Sequence, residues 1–277
     1  VVVYSLIRCR GIVAAPLFTG SPMTPKMLRR AALMAHAAYE PETSAGIDLM
    51  AEGAIKFENK RTSTVAYLLR QEHRQWLIWR GTESAKDWIF NLAIIPIRIR
   101  GGSWIHGGFY LAHKSVWSDI KRELDVDKPL VVVGHSLGGA LSEATVLRLK
   151  DAKKEGFKKR FARIDLVAFG KPNLFFKYQR SKKAQLAFPG FKTQLSVVNS
   201  SDVVARVPRL GYRPALNQTQ LWFAPDCDMI DPETSVKREH WDLSSSITDH
   251  GMDGYCSRMT TFCESSTVAT LSSKLRE

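Results

Sequence analysis

The run Leu130-Val131-Val132-Val133-Gly134-His135-Ser136-Leu137-Gly138-Gly139-Ala140 constrains the fold of this chain more than any other stretch. The unbroken apolar, β-branched segment at its start has the signature of a strand buried on both faces. Residues 140–149 then space their apolar side chains at helical intervals. Between the two sits Gly-x-Ser-x-Gly, at Gly134, Ser136 and Gly138. A serine on so sharp a strand-to-helix turn has a strained backbone, and its hydroxyl projects clear of the sheet. The flanking glycines are required because strand and helix pass too close there for a Cβ. The N–H of Leu137, at the helix N-terminus, points at any anion that forms on an attacked carbonyl. The bare five-residue motif is weak; its strand and helix context makes serine ester chemistry the reading.

A strand buried on both faces needs a large core around it, and 277 residues with 44% hydrophobic content can supply one. Residues 64–70 and 75–80 read as strands joined by a polar turn, and 165–170 and 193–199 as two more. Residues 25–39 read as an amphipathic helix, with Thr24 as N-cap and Pro25 in the first helical position. The alternation of strands and helices predicts an α/β fold: a mostly parallel central sheet covered by helices. No repeat or low-complexity tract divides the chain, so a single domain over residues 1–277 is expected. No apolar run approaches the about 20 residues of a membrane span. The chain does not begin with Met, so its first residues neither show nor exclude a trimmed leader.

The formal charge of +13 calls for an explanation. Basic residues are spread along the chain and are densest at 98–100, 150–160 and 177–183. No aromatic-interleaved binding motif accompanies them, which argues against nucleic acid; an anionic lipid surface is the better match. The 150–160 run follows the elbow helix and reads as its solvated end and the next loop. The four cysteines, Cys9, Cys227, Cys256 and Cys263, lack metal-site spacing. Their even number is compatible with two disulfides in an exported enzyme, Cys256 and Cys263 being close enough to pair if the C-terminal segment folds back. Four thiols in a reducing cytoplasm fit nearly as well, and export is only slightly favoured.

A serine hydroxyl needs a base within reach and an acid to orient that base. On a strand–elbow–helix scaffold the partners follow the serine in the order acid, then histidine. Two histidines come after Ser136, and His250 is favoured over His240 because a polar, glycine-containing loop can swing its imidazole over the elbow. His36, on the first helix, reads as a packing or surface residue. Asp202 stands just past the strand ending at Asn199, where catalytic groups of open α/β sheets gather; the plainer reading of Asp202 is an Asx-type turn former. Asp165 begins a strand and so lies at the wrong end. Asp226, Asp228 and Asp231 make an acidic loop, more simply solvated than calcium-binding.

With these residues in place the chain resembles the class 3 lipases of the α/β-hydrolase fold, a group of fungal triacylglycerol lipases with bacterial and plant relatives. The resemblance runs over about residues 25–255, through several blocks. Ile78-Trp79-Arg80-Gly81-Thr82 looks like the oxyanion strand, Asp87-Trp88 with Asn91-Leu92 like the start of a lid, and Ile105-His106-Gly107-Gly108-Phe109 like the block after it. Gly134 to Gly139 looks like the elbow, 198–208 like the aspartate block, and His250 with Tyr255 like the terminal histidine block. The resemblance implies Ser136 as nucleophile, Asp202 as acid and His250 as base. It also implies Thr82 as an oxyanion donor beside the N–H of Leu137, with no metal or organic cofactor. The first twenty-odd residues and the tail after Met259 fall outside it, and the cysteines do not carry over the disulfides of the fungal enzymes.

Residues 82–96 are amphipathic, with Trp88, Ile89, Leu92 and Ile95 available to one face of a short helix. Their place beside the oxyanion donor favours a lid covering the acyl pocket over a plain surface helix. The expected activity is hydrolysis of lipid esters, acylglycerols first. The same chemistry on phospholipid (a phospholipase A1) or on a soluble ester of the feruloyl type is the alternative. A catalytically silent relative serving as a binding module fits less well, because all three catalytic residue types are present in order.

Overall fold

The computed structural model describes residues 23–42, 47–82, 95–99, 103–176, 190–199, 202–208, 211–215, 219–223, 229–230 and 250–274. In chain order the strands are β1 (Ile55–Asn59), β2 (Thr64–Arg70), β3 (Gln75–Trp79), β4 (Pro96–Arg98), β5 (Trp104–His106) and β6 (Leu130–His135). They continue with β7 (Ile164–Phe169), β8 (Phe175–Phe176), β9 (Phe191–Asn199), β10 (Tyr212–Arg213), β11 (Thr219–Phe223) and β12 (Met229–Ile230). The α-helices among the described residues are α1 (Pro25–Ala37), α2 (Gly107–Glu123), α3 (Leu137–Leu149) and α4 (Met252–Lys274).

The main sheet is eight-stranded, in the order β1-β2-β3-β6-β7-β9-β11-β12. β1, β2 and β3 pair antiparallel, β3 through β11 pair parallel, and β12 closes the far edge antiparallel. The expected mostly parallel sheet is therefore present, with an antiparallel hairpin at each edge. Parallel neighbours need a crossover: α2 lies between β3 and β6, and α3 between β6 and β7. A smaller four-stranded sheet, β10-β8-β5-β4, is built from segments that leave the carboxyl ends of the main strands.

The alternation along each strand allots side chains to two cores. On β6, Val131 and Val133 join the core containing Leu28, Met34, Met252, Tyr255 and Met259, so α1 and α4 cover that face. Leu130 and Val132 join the core containing Phe109, Val116, Trp117, Ala140 and Leu141, so α2 and α3 cover the other. Because both faces are covered, β6 reads as a continuous apolar run rather than an alternating one. The N-cap of α1 is the expected one: Thr24 accepts a hydrogen bond from the N–H of Met27 at 3.2 Å. α3 is buried on nearly all sides, and it carries Glu143, whose Oε2 receives the Lys171 ammonium at 3.0 Å. Burial raises the pKa of Glu143 and the Lys171 charge opposes that rise.

Of the two alternatives for Cys256 and Cys263, pairing with each other is excluded. Both lie on the continuous helix α4 and neither is in a disulfide. Seven residues of helix separate them by about 10 Å along the axis, beyond the about 7 Å that a disulfide spans. Cys9 and Cys227 fall outside the described residues.

Three buried histidines give the fold a defined response to acid. Burial holds His106 down at about 4, and pushes His113 and His135 well below their ordinary value. The unfolded chain binds these protons near pH 6.5 while the folded chain does not. Stability is therefore fully present above that pH and is lost as pH falls, by up to about 1.4 kcal/mol per pH unit for each histidine. The melting temperature is expected to drop by several degrees between pH 7 and pH 5, before most carboxylates titrate. A flat melting temperature over that range would contradict the burial of these rings.

Candidate active site

Ser136 follows the last residue of β6 and adopts φ 56° and ψ −128°, a conformation that a side chain makes costly. Its N–H donates to the carbonyl of Phe169 at the end of β7, at 2.9 Å, which ties the turn to the neighbouring strand. The glycines meet the predicted need: a Cβ on Gly138 would stand 2.1 Å from the carbonyl oxygen of Trp79, and one on Gly134 2.3 Å from that of Gly138. The elbow thus packs against the end of β3, the strand that leads into Gly81 and Thr82.

Asp202 lies just past β9 and is fully buried. Its Oδ1 accepts the N–H groups of Val204 and Ala205, at 2.8 and 3.4 Å, at the start of the 3₁₀ turn Val204–Arg206. The Asx-type turn therefore occupies one oxygen and leaves the other to face the imidazole. Oδ2 receives the Tyr255 hydroxyl at 2.6 Å and lies 2.9 Å from His250 Nδ1. With Nδ1–H donating to Asp202, Nε2 is the imidazole nitrogen that keeps a lone pair. His250 Nε2 and Ser136 Oγ are both buried, and neither has a hydrogen-bond partner among the described residues. The convergence is tight, since a Cβ on Gly170 would lie 2.6 Å from Asp202 Oδ2, 2.9 Å from the Tyr255 hydroxyl and 3.0 Å from His250 Nδ1.

Tyr255 is held from two sides, accepting the N–H of Asn199 at 3.1 Å while donating to Asp202. Burial and the adjacent Asp202 carboxylate push its pKa well up, so it remains a donor. Thr82 follows β3, and its Oγ1 is buried with no partner among the described residues. The N–H of Leu137 opens α3, and the first N–H groups of a helix have no intrahelical acceptor. Both groups are the oxyanion donors expected from the sequence.

Not every expected site residue falls within the description. Trp88, Ile89 and Leu92 lie outside the described residues, as do His240, Asp226, Asp228 and Asp231. Ile95 is described, and the expected helical face does not reach it: it stands just before β4, its carbonyl accepts the N–H of Gly107, and the residue is 67% exposed. Pro96, taken as the end of the lid segment, is the first residue of β4. His36 makes a helix–helix contact, with Nε2 2.8 Å from Asp253 Oδ1 across α1 and α4. Sequence reasoning missed two residues at the centre, Tyr39 and His135. His135 stands inside the elbow motif, but the order serine, acid, histidine points past it to the histidines after the serine.

A glycine-flanked serine elbow at the carboxyl end of a central parallel strand, with crossover helices on both faces of the sheet, defines the α/β-hydrolase fold. Among the solved structures similar to this chain are lipases, several of them fungal. The native lipase–propeptide complex of Rhizomucor miehei matches with 19% identity over 81% of this chain and 78% of that one, at a TM-score of 0.65. The lipase of Rhizopus microsporus var. chinensis matches with 20% identity over 89% and 93%, at 0.61. A triacylglycerol lipase whose catalytic centre is formed by a serine protease triad matches with 20% identity over 83% and 94%, at 0.62. A comparison with curated protein sequences finds no match. The family model for lipase (class 3) matches residues 76–212, from β3 through the elbow and the aspartate to β10. The chain belongs to the class 3 lipase family and is an ester-hydrolysing enzyme of the lipase type.

Proposed function

We propose that the chain hydrolyses lipid esters, acylglycerols first, through Ser136, His250 and Asp202. The observation that carries this reading is the pair of unpartnered buried atoms at the elbow, Ser136 Oγ and His250 Nε2, with the far side of the imidazole anchored to Asp202. Unsatisfied buried polar atoms are costly, and a site that later receives a reacting group is a reason to keep them. His250 Nε2 takes the Ser136 proton as Oγ attacks the ester carbonyl, and the buried Asp202 carboxylate stabilises the imidazolium. The Leu137 N–H and Thr82 hold the oxyanion. His250 then protonates the departing alcohol, and a water, deprotonated by His250, releases the acid from the acyl-enzyme. No step draws on a metal or organic cofactor.

Ser136 is only 1% exposed, so an ester reaches it after the cover above the elbow is displaced. A lid between Thr82 and β4, carried on a single domain, would supply that displacement at a lipid–water interface. The basic charge bears unevenly on an anionic lipid partner. The 150–160 run begins where α3 ends, 13 residues and so about 20 Å along the helix from the elbow. Two of its lysines are paired, Lys154 with Asp151 and Lys159 with Asp127. Arg98, exposed on β4, is at the end of the molecule that carries the site.

Labelling with a fluorophosphonate probe, followed by assay on triolein, phosphatidylglycerol, phosphatidylcholine and short p-nitrophenyl esters, tests the proposal. The label is expected on Ser136, with triolein turnover rising sharply once substrate exceeds its solubility limit. Preference for the phospholipids would redirect the assignment to a phospholipase A1, and preference for soluble esters to an esterase. Absence of labelling would leave a silent binding module.

A further inference from the structure

Two polar side chains at the heart of the site take no part in that reaction. Tyr39, just beyond the end of α1, places its hydroxyl 2.7 Å from His135 Nδ1. The other nitrogen of the same ring, Nε2, lies 2.7 Å from the main-chain oxygen of His250. A carbonyl oxygen only accepts, so His135 carries its proton on Nε2 and offers a lone pair at Nδ1; the Tyr39 O–H then donates to it. The bonds run in one direction, from Tyr39 through His135 to the His250 carbonyl. Burial supports the neutral ring this requires. The ring of His135 also packs on that of His250, with centroids 4.5 Å apart.

The Tyr39 hydroxyl touches a third segment. A Cβ on Gly81 would lie 2.1 Å from it and 2.7 Å from the His135 carbonyl oxygen. One hydroxyl thus sits where α1, the residue before Thr82 and the elbow meet. His250 belongs to neither a strand nor a helix, and no sheet ladder fixes its height. Asp202 anchors the ring at Nδ1 and leaves the main chain of this residue unspecified. His135 supplies the second anchor, on the backbone, from the residue adjacent to Ser136.

We propose that Tyr39 and His135 are positioning residues: a relay that clamps the His250 main chain to the elbow and to α1, so that Nε2 is presented to Ser136 Oγ. The inference rests on the catalytic roles proposed above for Ser136 and His250. A shift of about 1 Å in a catalytic group can cost about a hundredfold in rate.

Three variants of the full chain separate positioning from packing. His135→Leu removes both bonds while filling much of the volume. His135→Asn keeps an acceptor near the Nδ1 position for Tyr39 but has no donor reaching the His250 carbonyl. His135→Gln places an amide N–H near the Nε2 position and restores that donor. On a soluble p-nitrophenyl ester, kcat is expected to fall about 10- to 100-fold in His135→Leu and His135→Asn, with KM within about twofold of the parent. In His135→Gln, kcat is expected to recover to within about threefold. Tyr39→Phe, which frees the tautomer, should lose about 3- to 10-fold in kcat. Circular dichroism and melting temperature confirm that each variant is folded. A folded His135→Leu with parental kcat, or a His135→Gln no better than His135→Leu, overturns the relay. Ser136→Ala run alongside separates the two failures: its inactivity beside a fully active His135→Leu sinks the relay alone, whereas activity in Ser136→Ala sinks the site assignment and the relay with it.

Discussion

Ser136→Ala is expected to lower kcat by about 10⁴- to 10⁶-fold on any ester the enzyme accepts, while the fold is unchanged. The rate loss follows from removing the only atom proposed to bond to the acyl carbon. The structural tolerance follows from the site. Ser136 Oγ makes no hydrogen bond among the described residues, so its deletion leaves no partner stranded. Alanine keeps the Cβ and hence the same backbone strain at φ 56°. The melting temperature should therefore stay at or slightly above that of the parent, because a desolvated hydroxyl is lost. Turnover within tenfold of the parent would show that the elbow serine is not the nucleophile; a collapse of the fold would show that its hydroxyl has a structural partner.

Asp202→Asn is the second large effect, with an expected loss of about 10⁴-fold in kcat and little change in shape. The direction is set by which oxygen becomes nitrogen. Oδ1 accepts two main-chain N–H groups, from Val204 and Ala205, so the asparagine carbonyl takes that side. The amide NH₂ then occupies the Oδ2 position, facing His250 Nδ1 and the Tyr255 hydroxyl. A donor at that place forces His250 to accept at Nδ1 and to carry its proton on Nε2, the nitrogen proposed to take the proton of Ser136. The base is present in the wrong tautomer. The loss should be steepest at neutral pH and should ease in alkaline solution. Kinetics of Asp202→Asn from pH 6 to 10, beside a crystal structure or amide NMR spectrum showing the parental fold, check the argument. A loss below tenfold would remove Asp202 from the role of acid.

The two variants differ in how far their outcome was legible before the structure. The elbow was visible because it is local: β6, the turn and α3 are consecutive, and the need for glycine at Gly134 and Gly138 comes from contacts that any strand–elbow–helix unit makes. The strands over 64–70 and 75–79 and the helix from Pro25 were visible for the same reason, their patterning and capping being written in neighbouring residues. Asp202 and His250 were reachable by order along the chain and by loop context, yet each had a competitor. What separates them is the closure of two distant loops on one another, which no periodicity reports. The pairing of Cys256 with Cys263 stayed open because spacing alone does not distinguish a folded-back tail from the single helix that carries both.

The sequence by itself determined that a serine would stand strained at the end of a buried strand, followed by a helix whose N-terminus faces it. Those features depend on φ/ψ sterics and side-chain pattern within a dozen residues. Only the tertiary structure decided which oxygen of Asp202 faces the imidazole and that Tyr255 shares it. Only the tertiary structure placed Tyr39 and His135 behind His250, and buried Glu143 against Lys171 inside a helix that patterning would leave apolar. These contacts join segments tens to hundreds of residues apart. Their hydrogen bonds are made only once both faces of the sheet are covered and water is gone, when every buried donor must find whichever acceptor the packing brings to it.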